Sequence, residues 1–257
     1  MNAPDTAAAP KRVPTWSYLF LAALLVTLVV VAYWLKTRAT PTVGGAAPGE
    51  STEALLARGI REHNAGSLDV AMDLYFKVLQ RDPGHPQAHY NIAQIYNARG
   101  QYAKAQWEYE ATLKAEPQSV NARLNLGVVL YRQRRFAEAA EHFRKAVELA
   151  PKNDLALFDL GITVLELGQT DEAIRWLKAA LQENPKVVDA HYYLGLAFER
   201  KRRFGEARAE LLKVLETSPR YAPAYVALAR VYAAQGEQRL AQEALAKAAE
   251  LDPRRKK

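Results

Sequence analysis

Six prolines, Pro83, Pro117, Pro151, Pro185, Pro219 and Pro253, each stand thirty-four residues after the one before. A fixed period in this range marks one supersecondary unit copied and stacked, so every block must obey the same packing rules. With the proline at position 32, the blocks run 52–85, 86–119, 120–153, 154–187, 188–221 and 222–255. Two columns then hold alanine in every copy. Position 3 reads Ala54, Ala88, Ala122, Ala156, Ala190 and Ala224, and position 20 reads Ala71, Ala105, Ala139, Ala173, Ala207 and Ala241. Such columns are expected where two helices come too close for a larger side chain.

Two runs of helical periodicity fill each block. In the first, helix A, position 7 carries Ile92, Leu126, Leu160, Leu194 and Leu228, position 8 is Gly or Ala, and position 11 carries Tyr96, Leu130, Val164, Phe198 and Tyr232. A turn follows, often with glycine (Gly66, Gly100, Gly168, Gly236). In the second run, helix B, position 24 reads Tyr75, Tyr109, Phe143, Leu177, Leu211 and Leu245. Proline then ends the helix, because it lacks an amide proton and crowds the preceding turn. A small residue at 8, alanine at 20, an aromatic at 24 and proline at 32 resemble the tetratricopeptide repeat over residues 52–255. The resemblance implies an all-α, right-handed α-solenoid of six helix-turn-helix repeats. Position 4, where that family usually has Trp, holds Leu55, His89, Arg123, Leu157, His191 and Tyr225, which reads as drift.

The repeats claim roughly four-fifths of the 257 residues, so no catalytic domain fits beside them. Without cysteine there is no disulfide, thiolate metal site or cysteine nucleophile. A net charge of +7 suits acidic partners or anionic lipid, and is low for a dedicated nucleic-acid binder. Of the five histidines only His85 and His89 stand four apart, and they straddle a loop and a helix start, so no metal site or other cofactor is expected.

Residues 1–15, with Pro4, Pro10 and Pro14, have the composition of a disordered tail. Residues 16–35 are uncharged and rich in Leu, Val and Ala, and a helix of that length spans about 30 Å of hydrocarbon. Trp16, Tyr18, Tyr33 and Trp34 suit the two interfaces. This predicts a single transmembrane helix, placed in a bacterial inner membrane. A cleaved signal peptide is the rival, but its apolar core is usually shorter, and Gly45, Ala46 and Ala47 lie far beyond this run. Lys11 and Arg12 nearly balance Lys36 and Arg38, so the expectation of periplasmic repeats, with cytoplasmic repeats as the alternative, rests on the short N-terminal tail. Residues 36–51 read as a flexible linker to the repeat domain at 52–257. Arg58 and Glu62 break the first repeat's apolar pattern, and Gln238 and Ala249 the last repeat's, as expected of capping units.

By resemblance, helix A lines the concave side and presents positions 2, 5, 6, 9, 12 and 13. Positions 5 and 9 give Leu56 and Ile60, Tyr90 and Gln94, Leu124 and Val128, Phe158 and Ile162, Tyr192 and Leu196, and Val226 and Arg230. Position 12 adds Tyr131 and Leu165, and position 6 supplies Asn91, Asn125 and Asp159. An apolar row on an open groove usually marks a partner site, and a ladder of amides pairs with an extended peptide. The alternatives are that the row only packs neighbouring A helices or holds an adjacent part of the same chain, and that the ladder serves structure. Lys and Asn at the groove positions of the family's chaperone-tail clamp are replaced by Leu, Tyr, Val and Phe, which rejects partners of that kind. Two A–B turns are basic, Arg132, Arg134 and Arg135, and Arg200, Lys201, Arg202 and Arg203. They form an edge for anionic lipid or an acidic protein, or else solvated turns. The expected function is a non-enzymatic, membrane-anchored scaffold or assembly factor holding a protein partner in its groove. A constitutive subunit of a membrane complex and a periplasmic chaperone-like factor are the alternatives.

Overall fold

The computed structural model describes residues 50–251, which form twelve α-helices and, among the described residues, no strand. The A helices are α1 (Thr52–Asn64), α3 (Pro86–Ala98), α5 (Val120–Arg132), α7 (Asp154–Glu166), α9 (Val188–Arg200) and α11 (Ala222–Ala234). The B helices are α2 (Leu68–Arg81), α4 (Tyr102–Ala115), α6 (Phe136–Leu149), α8 (Thr170–Glu183), α10 (Phe204–Thr217) and α12 (Gln238–Leu251). Every A helix starts at position 1 and every B helix at position 17. Among these residues no helix is long and apolar enough to cross a membrane, and the span expected at 16–35 lies outside them, as do the tail and all but the last two residues of the linker.

The two punctuation points work by different chemistry. Ahead of each proline that follows α2, α4, α6, α8 and α10, the residue at position 31 is driven out of the helical region, with φ between −124° and −140° at Asp82, Glu116, Ala150, Asn184 and Ser218. At the A–B turn, position 15 is left-handed in all six repeats, and the amide of position 16 donates to the carbonyl of position 11 at 2.9 Å, as Gln169 does to Val164. Glycine supplies this conformation at Gly66, Gly100, Gly168 and Gly236, whereas Arg134 (φ 61°) and Arg202 (φ 58°) adopt it with a side chain. Gly168, at φ 78° in open space, isolates the backbone cost. Gly168→Ala is expected to lower stability by about 1 kcal/mol, read as a shifted urea midpoint with an unchanged m-value.

The core runs through the stack along the predicted columns. Position 7 is buried in repeats 2 to 6, and the position 24 side chains Tyr75, Tyr109, Phe143, Leu177 and Leu211 are 0–1% exposed. Position 24 lies under position 8 of the same repeat: a Cβ on Gly127 would stand 2.6 Å from Phe143, and one on Gly59 2.6 Å from Tyr75. The end repeats depart from the columns. Ala54 is exposed and Leu245 is 51% exposed, because among the described residues no helix precedes α1 or follows α12. The close approach expected at position 3 therefore holds only from repeat 2 onward.

Position 4 is not drift. His89, Arg123, His191 and Tyr225 each donate to the carbonyl of the proline six residues earlier, at 3.0, 2.6, 3.4 and 3.1 Å, tying helix A to the preceding inter-repeat loop. In repeats 2 and 5 the same side chain meets position 23 of helix B: His89 Nδ1 donates to Glu108 at 2.6 Å and His191 Nδ1 to Glu210 at 2.6 Å. In repeat 1 both positions are apolar and buried, Leu55 and Leu74.

Successive A helices touch one another, α5 with α7, α7 with α9 and α9 with α11, and no two B helices among the described residues meet as closely. The stack is therefore tighter along its A side.

Candidate partner-binding groove

Helical spacing sets positions 2, 5, 9 and 12 on one flank of each A helix, and stacking at a 34-residue period aligns those flanks into a row. Most of the expected row is reachable. Leu56, Tyr90, Val128, Tyr131, Phe158, Ile162, Tyr192, Leu196 and Gln94 are half-buried, and Ile60 and Val226 are exposed at 36% and 41%. Three expected groove residues are not free: Leu165 is 1% exposed, Leu124 8% and Asn91 6%. At these places the side chain is covered, so the row is interrupted rather than continuous.

The polar ladder also divides. Asn91 accepts from Gln87 at 3.1 Å, and Asn125 donates to the Tyr90 hydroxyl at 2.8 Å across the repeat boundary. These amides act at least in part as internal ties. Asp159, in the same column, makes no side-chain hydrogen bond or ion pair among the described residues, and burial pushes its carboxyl up to about 7. Arg230 is exposed, yet its Nε and Nη2 both donate to Glu199, at 2.7 and 2.8 Å.

Aromatic rings crowd the stretch around Asp159. Phe158 meets Tyr193 at a centroid distance of 5.9 Å, Tyr193 meets Tyr192 at 5.4 Å, and Tyr192 meets Tyr221 at 5.3 Å. Burial pushes the Tyr131 hydroxyl up to about 12, with Glu166, Tyr193 and Asp159 adding to the shift by their nearby charge. Tyr193 is raised by burial as well, and by Tyr192, Asp189 and Glu166. Tyr221 donates to Asp189 at 2.9 Å. The sequence reading missed Leu155 (59% exposed, position 2), Tyr193 (position 6) and Glu166 (position 13) as groove residues, although all three sit at groove positions of the repeat. Tyr221 lies outside those positions and carried no signal.

Three of the seven cations of the basic edge are paired with carboxylates. Arg135 and Arg203 each grip the carboxylate three residues on, Glu138 and Glu206, with contacts of 2.5–2.7 Å, and Lys201 pairs with Asp171 at 2.9 Å. Arg200 donates to the Leu165 carbonyl at 2.5 Å and Arg132 to the Tyr102 hydroxyl at 3.4 Å. Arg134 and Arg202 lie over the rings of Phe136 and Phe204. Each of the seven expected cations therefore has a contact within the stack, and those of Arg132, Arg200 and Lys201 come from the preceding repeat.

Twelve helices in strict alternation, with a half-open aromatic row along one side, define an α-helical repeat protein. Tetratricopeptide-repeat models match residues 56–111 and 90–154, 130–197, and 222–255. The chain belongs to the tetratricopeptide-repeat family, whose members typically bind protein or peptide partners. Among solved structures it is similar to MamA, at 26% identity over 64% of this chain and 96% of that one, with a TM-score of 0.60. YrrB, described as a tetratricopeptide protein with an unusual peptide-binding site, is 22% identical over 70% of this chain and 92% of that one, with a TM-score of 0.61. PilF of Pseudomonas aeruginosa is 20% identical over 79% of this chain and 92% of that one, with a TM-score of 0.67, and like YrrB it shows the shared fold alone. No curated protein matches the sequence.

Proposed function

We propose that the chain is a membrane-anchored scaffold whose helices wind into a right-handed coil and hold a segment of a protein partner along the A-helix face. The observation that carries this is the half-open row of Tyr90, Phe158, Tyr192 and Val226, apolar side chains that the core does not consume. Aromatic groups of this kind serve as anchors, and each costs about 2 kcal/mol of binding when truncated, roughly 30-fold in affinity. A photocrosslinking residue placed at Tyr192 is expected to trap one discrete partner, whereas one at Trp107, exposed on α4, is not. Phe158→Ala with Tyr192→Ala should abolish the trapped species while circular dichroism stays unchanged. Equal trapping from both faces would end the proposal.

The uncharged run at 16–35 supports the anchor, and residues 36–51 give the repeats a tether. In this reading the repeats lie in the periplasm. Protease added to spheroplasts is then expected to digest them, and full protection would place them on the cytoplasmic side.

A further inference from the structure

We infer that the middle of the A-helix face receives a cationic side chain, a lysine or arginine carried by an otherwise apolar segment of the partner. The inference rests on that face being the docking groove and names the chemistry it selects. Asp159 is the point of contact. Its column-mates Asn91 and Asn125 hold bonds to Gln87 and Tyr90, while the Asp159 side chain has neither hydrogen bond nor ion pair among the described residues. A half-buried carboxylate left without a donor is costly, and an arriving cation offsets that cost. The chain has 35 Lys and Arg against 28 Asp and Glu, but the cations along this face are engaged elsewhere: Arg230 with Glu199, Arg200 with the Leu165 carbonyl and Arg134 over Phe136.

The surroundings favour the same sign of charge. Tyr131 feels the charge of Asp159 and of Tyr193, Tyr193 edges onto Phe158 and Tyr192, and ring faces attract a cation more strongly where water is thin. Glu166, two helical turns further along α7 and so about 10 Å away on nearly the same side, also has no side-chain hydrogen bond or ion pair among the described residues. An acidic side chain entering here meets two carboxylates. A neutral one leaves Asp159 unpaired.

The test uses the full-length chain in nanodiscs of neutral phosphatidylcholine, with empty nanodiscs subtracted. Labelled nonapeptides, acetylated and amidated, carry apolar flanks and a central Lys, Arg, Leu or Glu, and binding is read by fluorescence polarisation. The Lys and Arg peptides are expected to bind at least about tenfold tighter than the Leu peptide, an increment of about 1.4 kcal/mol, with the Glu peptide weakest. Asp159→Asn should erase the preference for Lys over Leu. This variant places at position 159 the side chain already present at Asn91 and Asn125, so its folding, checked by circular dichroism, should be intact. A Leu or Glu peptide that binds as tightly as Lys overturns the inference, as does a preference that survives Asp159→Asn. Phe158→Ala with Tyr192→Ala should weaken every peptide. If it does not, or if no peptide binds, the groove reading falls as well.

Discussion

Glu108→Ala is expected to destabilise the chain by about 3–5 kcal/mol, the range for breaking a buried ion pair by removing one partner. His89 and Glu108 are each 5% exposed, and their 2.6 Å contact joins α3 to α4. The second imidazole nitrogen faces the Pro83 carbonyl at 3.0 Å, so both nitrogens address acceptors and only the imidazolium satisfies both. The bond to Glu108 is the first cause of a His89 pKa raised above its ordinary 6.5, followed by burial, which opposes it, and the Pro83 bond. The sign follows from linkage. A group with a raised folded pKa adds stability that is fully present below the unfolded value, about 6.5, and is lost as pH rises through the folded value. Urea midpoints of the parent should therefore fall across that window, and those of a His89→Leu, Glu108→Leu double variant should lose that component. The double variant reproduces the chemistry of Leu55 and Leu74 in repeat 1, and is expected to recover most of the loss seen with Glu108→Ala, because replacing both charges by apolar groups is often neutral or better. A double variant no more stable than Glu108→Ala, or a flat pH profile in the parent, would show that the pair is not what holds α3 to α4. The matching pair in repeat 5, His191 with Glu210, has side chains 17% and 15% exposed, so Glu210→Ala should cost less.

Phe143→Ala should cost a comparable 3–5 kcal/mol, by a different route. The Phe143 side chain is 1% exposed and lies against Gly127, so its removal leaves a hole beside a residue with no side chain to fill it. The cost combines lost transfer energy with the cavity that remains. In a stack where each repeat leans only on its neighbours, the damage should stay local. Hydrogen exchange is expected to speed up across α5, α6 and α7 while α1, α2 and α12 keep their parent protection, and uniform acceleration would contradict the nearest-neighbour picture. Adding Gly127→Ala to Phe143→Ala should restore part of the loss, whereas Gly127→Ala alone forces the Phe143 ring to move.

Much of the architecture was legible because it depends on local rules repeated six times. Proline at position 32, glycine at most A–B turns and alanine at position 20 each act through the backbone of their own turn or through one close helix contact. A thirty-four-residue period multiplies that weak signal. The expected groove was legible as a set of addresses, but not as a set of free groups. Leu165 and Leu124 occupy groove positions and are nevertheless covered, and Asn125 does occupy the ladder but spends its donor on Tyr90. Arg135, Arg203 and Lys201 of the two basic turns carry the charge the sequence promised, and their pairing with Glu138, Glu206 and Asp171 is a matter of rotamer and spacing in three dimensions.

The amino-acid order alone determined the twelve-helix rhythm and the side of each helix that must be buried, since periodicity and turn chemistry act over a few residues. Only tertiary structure decided which polar side chains found partners, as contacts such as His89 with Glu108 and Tyr90 with Asn125 join residues 19 and 35 apart. It also left Asp159 without one. Pairing over such separations depends on how neighbouring helices lean on one another, within one repeat for His89 and Glu108 and across a repeat boundary for Tyr90 and Asn125.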